Sequence, residues 1–142
     1  MFKIFKESDY WFLKSFKIEG NQLTIDIAEG IISANTKDVR IDNDFEIKDC
    51  NPIEVNEKSR TISVKFHKVL AHQLTDESYS APECGETEGN VLCIHQESSY
   101  LKYVKDNSLV SQLIDEPMFH YSISLADDII DVITTEKPEL RQ

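Results

Sequence analysis

Phe119-His120-Tyr121-Ser122-Ile123-Ser124-Leu125 decides the fold, because its apolar residues occupy every second position. A strand turns successive side chains to opposite faces, so the alternation predicts a strand with one buried face and one wet face. His120 falls on the wetter side of that reading. Downstream, Ile130, Val132 and Thr134 keep the same period, which predicts a strand within Asp127–Thr135 after a short helical turn. Upstream, Val91-Leu92-Cys93-Ile94 is a short apolar run of the kind that forms a strand buried on both faces.

The pattern recurs toward the N-terminus. Ile62, Val64, Phe66, Leu70 and Leu74 share one parity across Arg60 to Leu74, which reads as the longest strand, with a bulge expected at Lys68. Phe16 and Ile18 face Leu23, Ile25 and Ile27 across Glu19-Gly20-Asn21-Gln22, a turn-forming sequence, so a hairpin is expected. Val39–Ile41 and Phe45–Ile47 repeat the arrangement around Asp42-Asn43-Asp44, and Ile53–Val55 adds one more short strand. Ser98 or Ser99 can cap a helix that puts Leu101, Val104 and Ser108 on one stripe, with another turn or two over Leu109–Ile114 before Pro117. The expectation is an α+β fold, predominantly antiparallel β, a sandwich or partly open barrel with one or two short helices. A chain of 142 residues can bury its own core, so one β-rich domain over 1–142 is expected.

Charge narrows the function. A formal charge of -11 repels phosphate backbones and attracts basic proteins, which argues against nucleic acid and for a basic partner. Lys3, Lys6, Glu7, Asp9 and Lys14 interrupt the apolar residues of the first sixteen positions, so neither a signal peptide nor a membrane span is read there. Three cysteines, Cys50, Cys84 and Cys93, suit a reducing cytoplasm better than a disulfide framework.

Catalytic and cofactor signatures are missing: there is no G-x-S-x-G elbow, P-loop, dinucleotide turn or H-E-x-x-H, and no catalytic residue is assigned. Cys93 and His95 share a strand face and Cys84 could join them on a zinc ion, but the spacing matches no standard module, so no metal is assigned. His67 and His72 lie on opposite faces of any regular strand; His72 shares parity with Phe66 and Leu70 and reads as a core-edge residue. Thr75 to Asn90 is rich in breakers and acids and holds no basic residue, which predicts a long surface loop. Asp76, Glu77, Tyr79, Glu83, Glu86 and Glu88 on it are the candidate partner-binding residues, Tyr79 being of the type enriched at interfaces.

Phe66–Tyr79 and Phe119–Leu140 resemble parts of small bacterial proteins, and in size, acidity and lack of a catalytic frame the chain is similar to immunity proteins of contact-dependent and polymorphic-toxin systems. That resemblance implies a cytoplasmic protein that occludes the active site of a basic, nuclease-like toxin by shape and charge. The rival expectation is a small-ligand-binding barrel or enzyme, with a pocket lined by Tyr and His between sheet and helix.

Overall fold

The computed structural model describes residues 2–6, 8–83 and 87–142. A 3-10 turn over Phe2–Phe5 precedes strands β1 (Trp11–Glu19), β2 (Gln22–Glu29), β3 (Ile31–Ile32), β4 (Lys37–Arg40), β5 (Glu46–Cys50), β6 (Ile53–Glu54), β7 (Thr61–Phe66) and β8 (Val69–Asp76). A second 3-10 turn, Glu77–Tyr79, leads to β9 (Thr87–Glu88) and β10 (Leu92–His95). Helices α1 (Ser99–Asn107) and α2 (Val110–Leu113) follow, then β11 (Phe119–Ser124), β12 (Asp128–Thr134) and β13 (Glu139–Arg141).

Two antiparallel sheets stack as a sandwich. The first runs β1-β2-β7-β13 and the second β8-β12-β11-β10-β9; both are open, with no pairing that closes a barrel. Ile25, Ile27, Ile62, Val64 and Phe66 of the first sheet meet Leu92, Tyr121, Ile123, Ile130 and Val132 of the second in one core. The Phe66 and Tyr121 rings, 5.8 Å apart, stand across that junction. Each of these residues except Leu92, which belongs to a continuous apolar run, has the parity that its strand's alternation predicts.

The expected β1–β2 hairpin is present, with Ile18 opposite Leu23 and Gly20 at φ +63°, a left-handed turn conformation that glycine adopts without strain. Arg60 fixes the N-terminal turn beside it: its guanidinium donates to Glu29 Oε1 and Oε2, to Ile4 O and to Lys6 O, and lies 5.3 Å over the Trp11 ring. The β4–β5 ribbon also forms as expected, but it makes its own two-stranded sheet and every residue from 34 to 49 is exposed.

Four expectations need correction. Arg60–Leu74 is not one bulged strand: the chain breaks at His67–Lys68, leaving β7 in the first sheet and β8 in the second. The parity exception at Lys68 marked a crossover between layers. His72 takes the core side of β8 as expected, opposite Val132 with its ring tilted against Phe16 at 5.5 Å, but on this edge strand it is exposed. Asp127 begins no helical turn; a bend leads directly into β12. The loop is also shorter than Thr75–Asn90, since Thr75 and Asp76 end β8 and Glu77–Tyr79 is a 3-10 turn.

Among the described residues no helix is long and apolar enough to cross a membrane.

Candidate functional site

The second sheet has two faces, and the one turned away from the core carries the chemistry. Register puts Cys93, Ser122, Asp131 and Gln73 in one row across β10, β11, β12 and β8, and His95 beside His120 in the next. Alternation therefore collects polar groups from four strands on one surface. Helix α1 and the segment from the Glu77–Tyr79 turn to Glu83 cover that surface. Between cover and sheet lies a cavity of about 1140 Å³, lined among others by Gln73, Glu77, Glu83, His95, Tyr100 and Asp131.

This cover overturns the expectation that His120 faces water. His120 has the predicted parity but is 0% exposed, because α1 sits over its face of the sheet. Its Nδ1 is 2.6 Å from Ser98 Oγ and its Nε2 is 2.7 Å from Asp131 Oδ1. Ser98 Oγ already accepts the amide hydrogen of Leu101 as the cap of α1, so its own hydrogen is free to go to His120 Nδ1. His120 then donates Nε2–H to Asp131, a tautomer assigned by the network. Gln73 Nε2 donates to Asp131 Oδ2 at 3.0 Å, so both carboxylate oxygens are held.

His95 stacks on His120 with ring centroids 4.3 Å apart and planes 18° apart, and its Nε2 is 2.7 Å from Ser122 Oγ. The buried Nδ1 of His95 has no hydrogen-bond partner among the described residues. A nucleophilic serine needs a base that a third group orients, and here no acid orients His95. Cys93 is no substitute, since burial pushes its thiol pKa up and keeps it protonated, despite an opposing hydrogen bond from Ser122.

Ligand-capable atoms of His95, His120 and Asp131 lie within 4.8 Å of one another, a cluster worth testing as a metal centre. The arrangement is wrong for a cation. Imidazole lone pairs lie in the ring plane, so near-parallel stacked rings direct them side by side instead of at a common point. Both nitrogens of His120 are also engaged. A metal would have to part the stack and displace Ser98 or Asp131.

The acidic segment is drawn into the same site. Glu83 Oε2 accepts from Ser99 N and Oγ, and Oε1 accepts from Tyr100 N, so this carboxylate closes the N-terminus of α1 together with Ser98. Asp76 Oδ1 accepts from Ser78 N and caps the 3-10 turn, while Glu77 N donates to Asp127 O and ties that turn to the β11–β12 connection. The ring of Tyr79 is 84% exposed at the rim. Glu88 is exposed on β9, outside the lining. Glu86 and Cys84 lie outside the described residues.

Electrostatics follow from these contacts. Burial raises the Asp131 pKa, but hydrogen bonds from His120 and Gln73 and the neighbouring imidazoles outweigh it, so the net shift is downward. Glu83 behaves alike: desolvation pushes up, and the Ser99 and Tyr100 hydrogen bonds with His120 pull it below the ordinary carboxylate value. Desolvation and His120 lower His95, against the opposing pull of Asp131 and Glu83. Tyr100 is pushed up to about 12 by burial, Asp131 and Tyr103, and remains a neutral phenol.

These shifts set a pH dependence. Asp131, Glu83 and His95 all bind protons more weakly in the folded chain than in the unfolded one, so the unfolded state takes up more protons as pH falls. Their contributions are complete above the unfolded values and are lost as pH drops through the depressed folded ones. The unfolding midpoint is expected to hold above pH ~7, to fall first below about 6.5 through His95, and to fall further through the carboxylate range. Thermal unfolding followed from pH 8 to pH 4 checks this, and a midpoint that rises between pH 7 and 5 contradicts it.

The sequence named Glu77, Tyr79, Glu83, Cys93 and His95, and the structure brings them to one cavity. It did not single out Gln73, Ser122 or Asp131. One signal was present: Asp131 is a lone carboxylate within Ile129-Ile130-Asp131-Val132-Ile133, where an unpaired charge would be costly. No family model, curated protein or solved structure matches the chain.

Proposed function

We propose that the chain is a binding protein whose recognition site is the cavity between the second sheet and α1, and that it takes a small polar ligand there. The observation that carries this reading is the lining: tyrosines from the cover, hydrogen-bonding side chains from the sheet, and about 1140 Å³ of space. Ligand sites are concave, with a few fixed polar groups among aromatic walls, and here Asp131, held by His120 and Gln73, and His95, held by Ser122, supply the fixed groups. Ser98 Oγ, the one hydroxyl that meets an acid-oriented histidine, caps α1 and does not line the cavity, which favours binding over covalent chemistry there.

Titration with a library of polar aromatic fragments, followed by amide correlation spectra, tests the proposal. Fragments are expected to move resonances of His95, Tyr100 and Asp131. Ser124→Trp, which puts an indole into the cavity from an exposed position on β11, should abolish those shifts. Its unfolding free energy should stay within about 0.5 kcal/mol of the parent, as for other surface substitutions. A library that perturbs no lining residue removes the reading.

A second reading rests on Tyr79. An 84% exposed tyrosine beside Glu77 is the aromatic-in-acid surface that suits a basic macromolecule, the immunity-type partner that the resemblance implies. Under it the chain works in the cytoplasm and blocks a basic toxin. Glu88→Lys, exposed and outside the lining, separates the two readings: fragment binding survives under the first, and affinity for a basic protein partner falls about tenfold under the second.

A further inference from the structure

Among the described residues three carboxylates, Glu77, Glu83 and Asp131, line the cavity, and no lysine or arginine does. Of the two stacked histidines only His95 lines the cavity. His95 is held toward its neutral form by burial and by its neighbour. His120 is 0% exposed behind that lining, with Asp131 on its Nε2 and Ser98 on its Nδ1, so it has no nitrogen left for a ligand. The sequence adds no cation, since Thr75 to Asn90 contains no Lys, Arg or His.

An anion would find no lysine or arginine to neutralise it here among the described residues. The usual anion-binding element, the exposed amides of a helix N-terminus, is already closed by the protein's own carboxylate, Glu83, on Ser99 N and Tyr100 N. By contrast, each oxygen of Asp131 accepts one protein hydrogen bond and can accept another. The Glu77 carboxylate has no hydrogen bond or ion pair among the described residues. Tyr79, Tyr100 and Tyr103 contribute aromatic rings to the same lining, and ring faces attract ammonium groups. The space far exceeds what a single metal ion fills, and the stacked imidazoles do not converge on one.

We propose that the cavity takes an organic ammonium group, held by Asp131 and Glu77 and flanked by the rings of Tyr100 and Tyr103. This rests on the cavity being the ligand site. The group can belong to a free small amine or to a lysine of a partner chain; the chemistry is shared.

The test compares three probes of one shape at pH 7.5 in buffer with a chelator: benzylamine, benzyl alcohol and benzoate, each titrated by amide correlation spectra. Benzylamine is expected to shift His95 and Tyr100 and to bind at least about tenfold more tightly than benzyl alcohol, with benzoate weakest. Glu77→Gln should weaken benzylamine by several fold and leave the alcohol unchanged, and Asp131→Asn should largely erase the preference for the amine. Glu77 is exposed, so its variant keeps the comparison available if the Asp131 variant folds poorly. A capped Gly-Lys-Gly peptide distinguishes the sources: tighter binding than benzylamine marks a partner's lysine, and weaker binding marks a free amine. Benzyl alcohol or benzoate binding as tightly as benzylamine overturns the ammonium assignment and leaves the cavity as a ligand site. No shift at any lining residue with any probe, or with the wider fragment library, overturns both.

Discussion

Asp131→Ala is expected to destabilise the fold by about 3 kcal/mol, measured by urea unfolding at pH 7.5. Asp131 is 8% exposed and accepts from His120 at 2.7 Å and from Gln73 at 3.0 Å. Alanine removes both acceptors and leaves the His120 Nε2–H buried without a partner, beneath a helix that keeps water from it. A hydrogen bond to a charged group contributes about 1.5–3 kcal/mol, and the orphaned donor adds its own desolvation cost. Asn is the control: it keeps an acceptor for His120, and Gln73 can turn its amide to match, so a loss of about 1 kcal/mol is expected. The loss in the Ala variant should shrink when His120 is also replaced, because the donor that had been stranded is then gone. An Ala variant that costs less than about 1 kcal/mol would mean that cavity water takes over the carboxylate's role.

Phe66→Ala should cost more, about 4 kcal/mol. Phe66 is fully buried at the end of β7, its ring in the contact between the two sheets near Tyr121. Its removal loses the transfer free energy of a phenyl ring and leaves a void that two hydrogen-bonded sheets cannot easily close. The same position directly precedes the crossover at His67–Lys68, so the ring also anchors the end of the first sheet before the chain changes layer. Denaturant unfolding with an unchanged slope is the measurement. A loss below about 1.5 kcal/mol would show that the layers are held together elsewhere, by Ile25, Val64 and Ile130 around it.

Much of this fold could be read from parity alone. Alternation in Leu23–Ile27, Ile62–Phe66 and Phe119–Leu125 gave the inner faces correctly, because each strand buries one side against the opposite sheet. The cap of α1 at Ser98 was legible for a similarly local reason, a short hydroxyl before a helix-forming run. Legibility ended where one segment had to be placed on another. Nothing local distinguishes a bulge at Lys68 from a crossover, since even-numbered residues take the core side both before it, at Phe66, and after it, at His72 and Leu74 opposite Val132 and Ile130. His120 was read as wet because alternation tells which side of a strand a residue takes, and not what lies over that side. The site itself is assembled from β8, β10, β11, β12 and α1, and only the register of non-adjacent strands puts Gln73, His95, Ser122 and Asp131 together.

The β4–β5 ribbon contributes no residue to the core and shares no hydrogen-bonded edge with either large sheet. A hairpin of that kind opens at a free-energy cost far below that of global unfolding, since its opening exposes no packed interior. Its amide hydrogens therefore exchange with solvent on a fast, local schedule, while those of β2, β7, β11 and β12 wait for the whole sandwich to open. The same independence makes the turn at Asp42-Asn43-Asp44 a natural place to insert foreign sequence, a fluorophore tag or an affinity handle, without disturbing the folded layers or the site they hold.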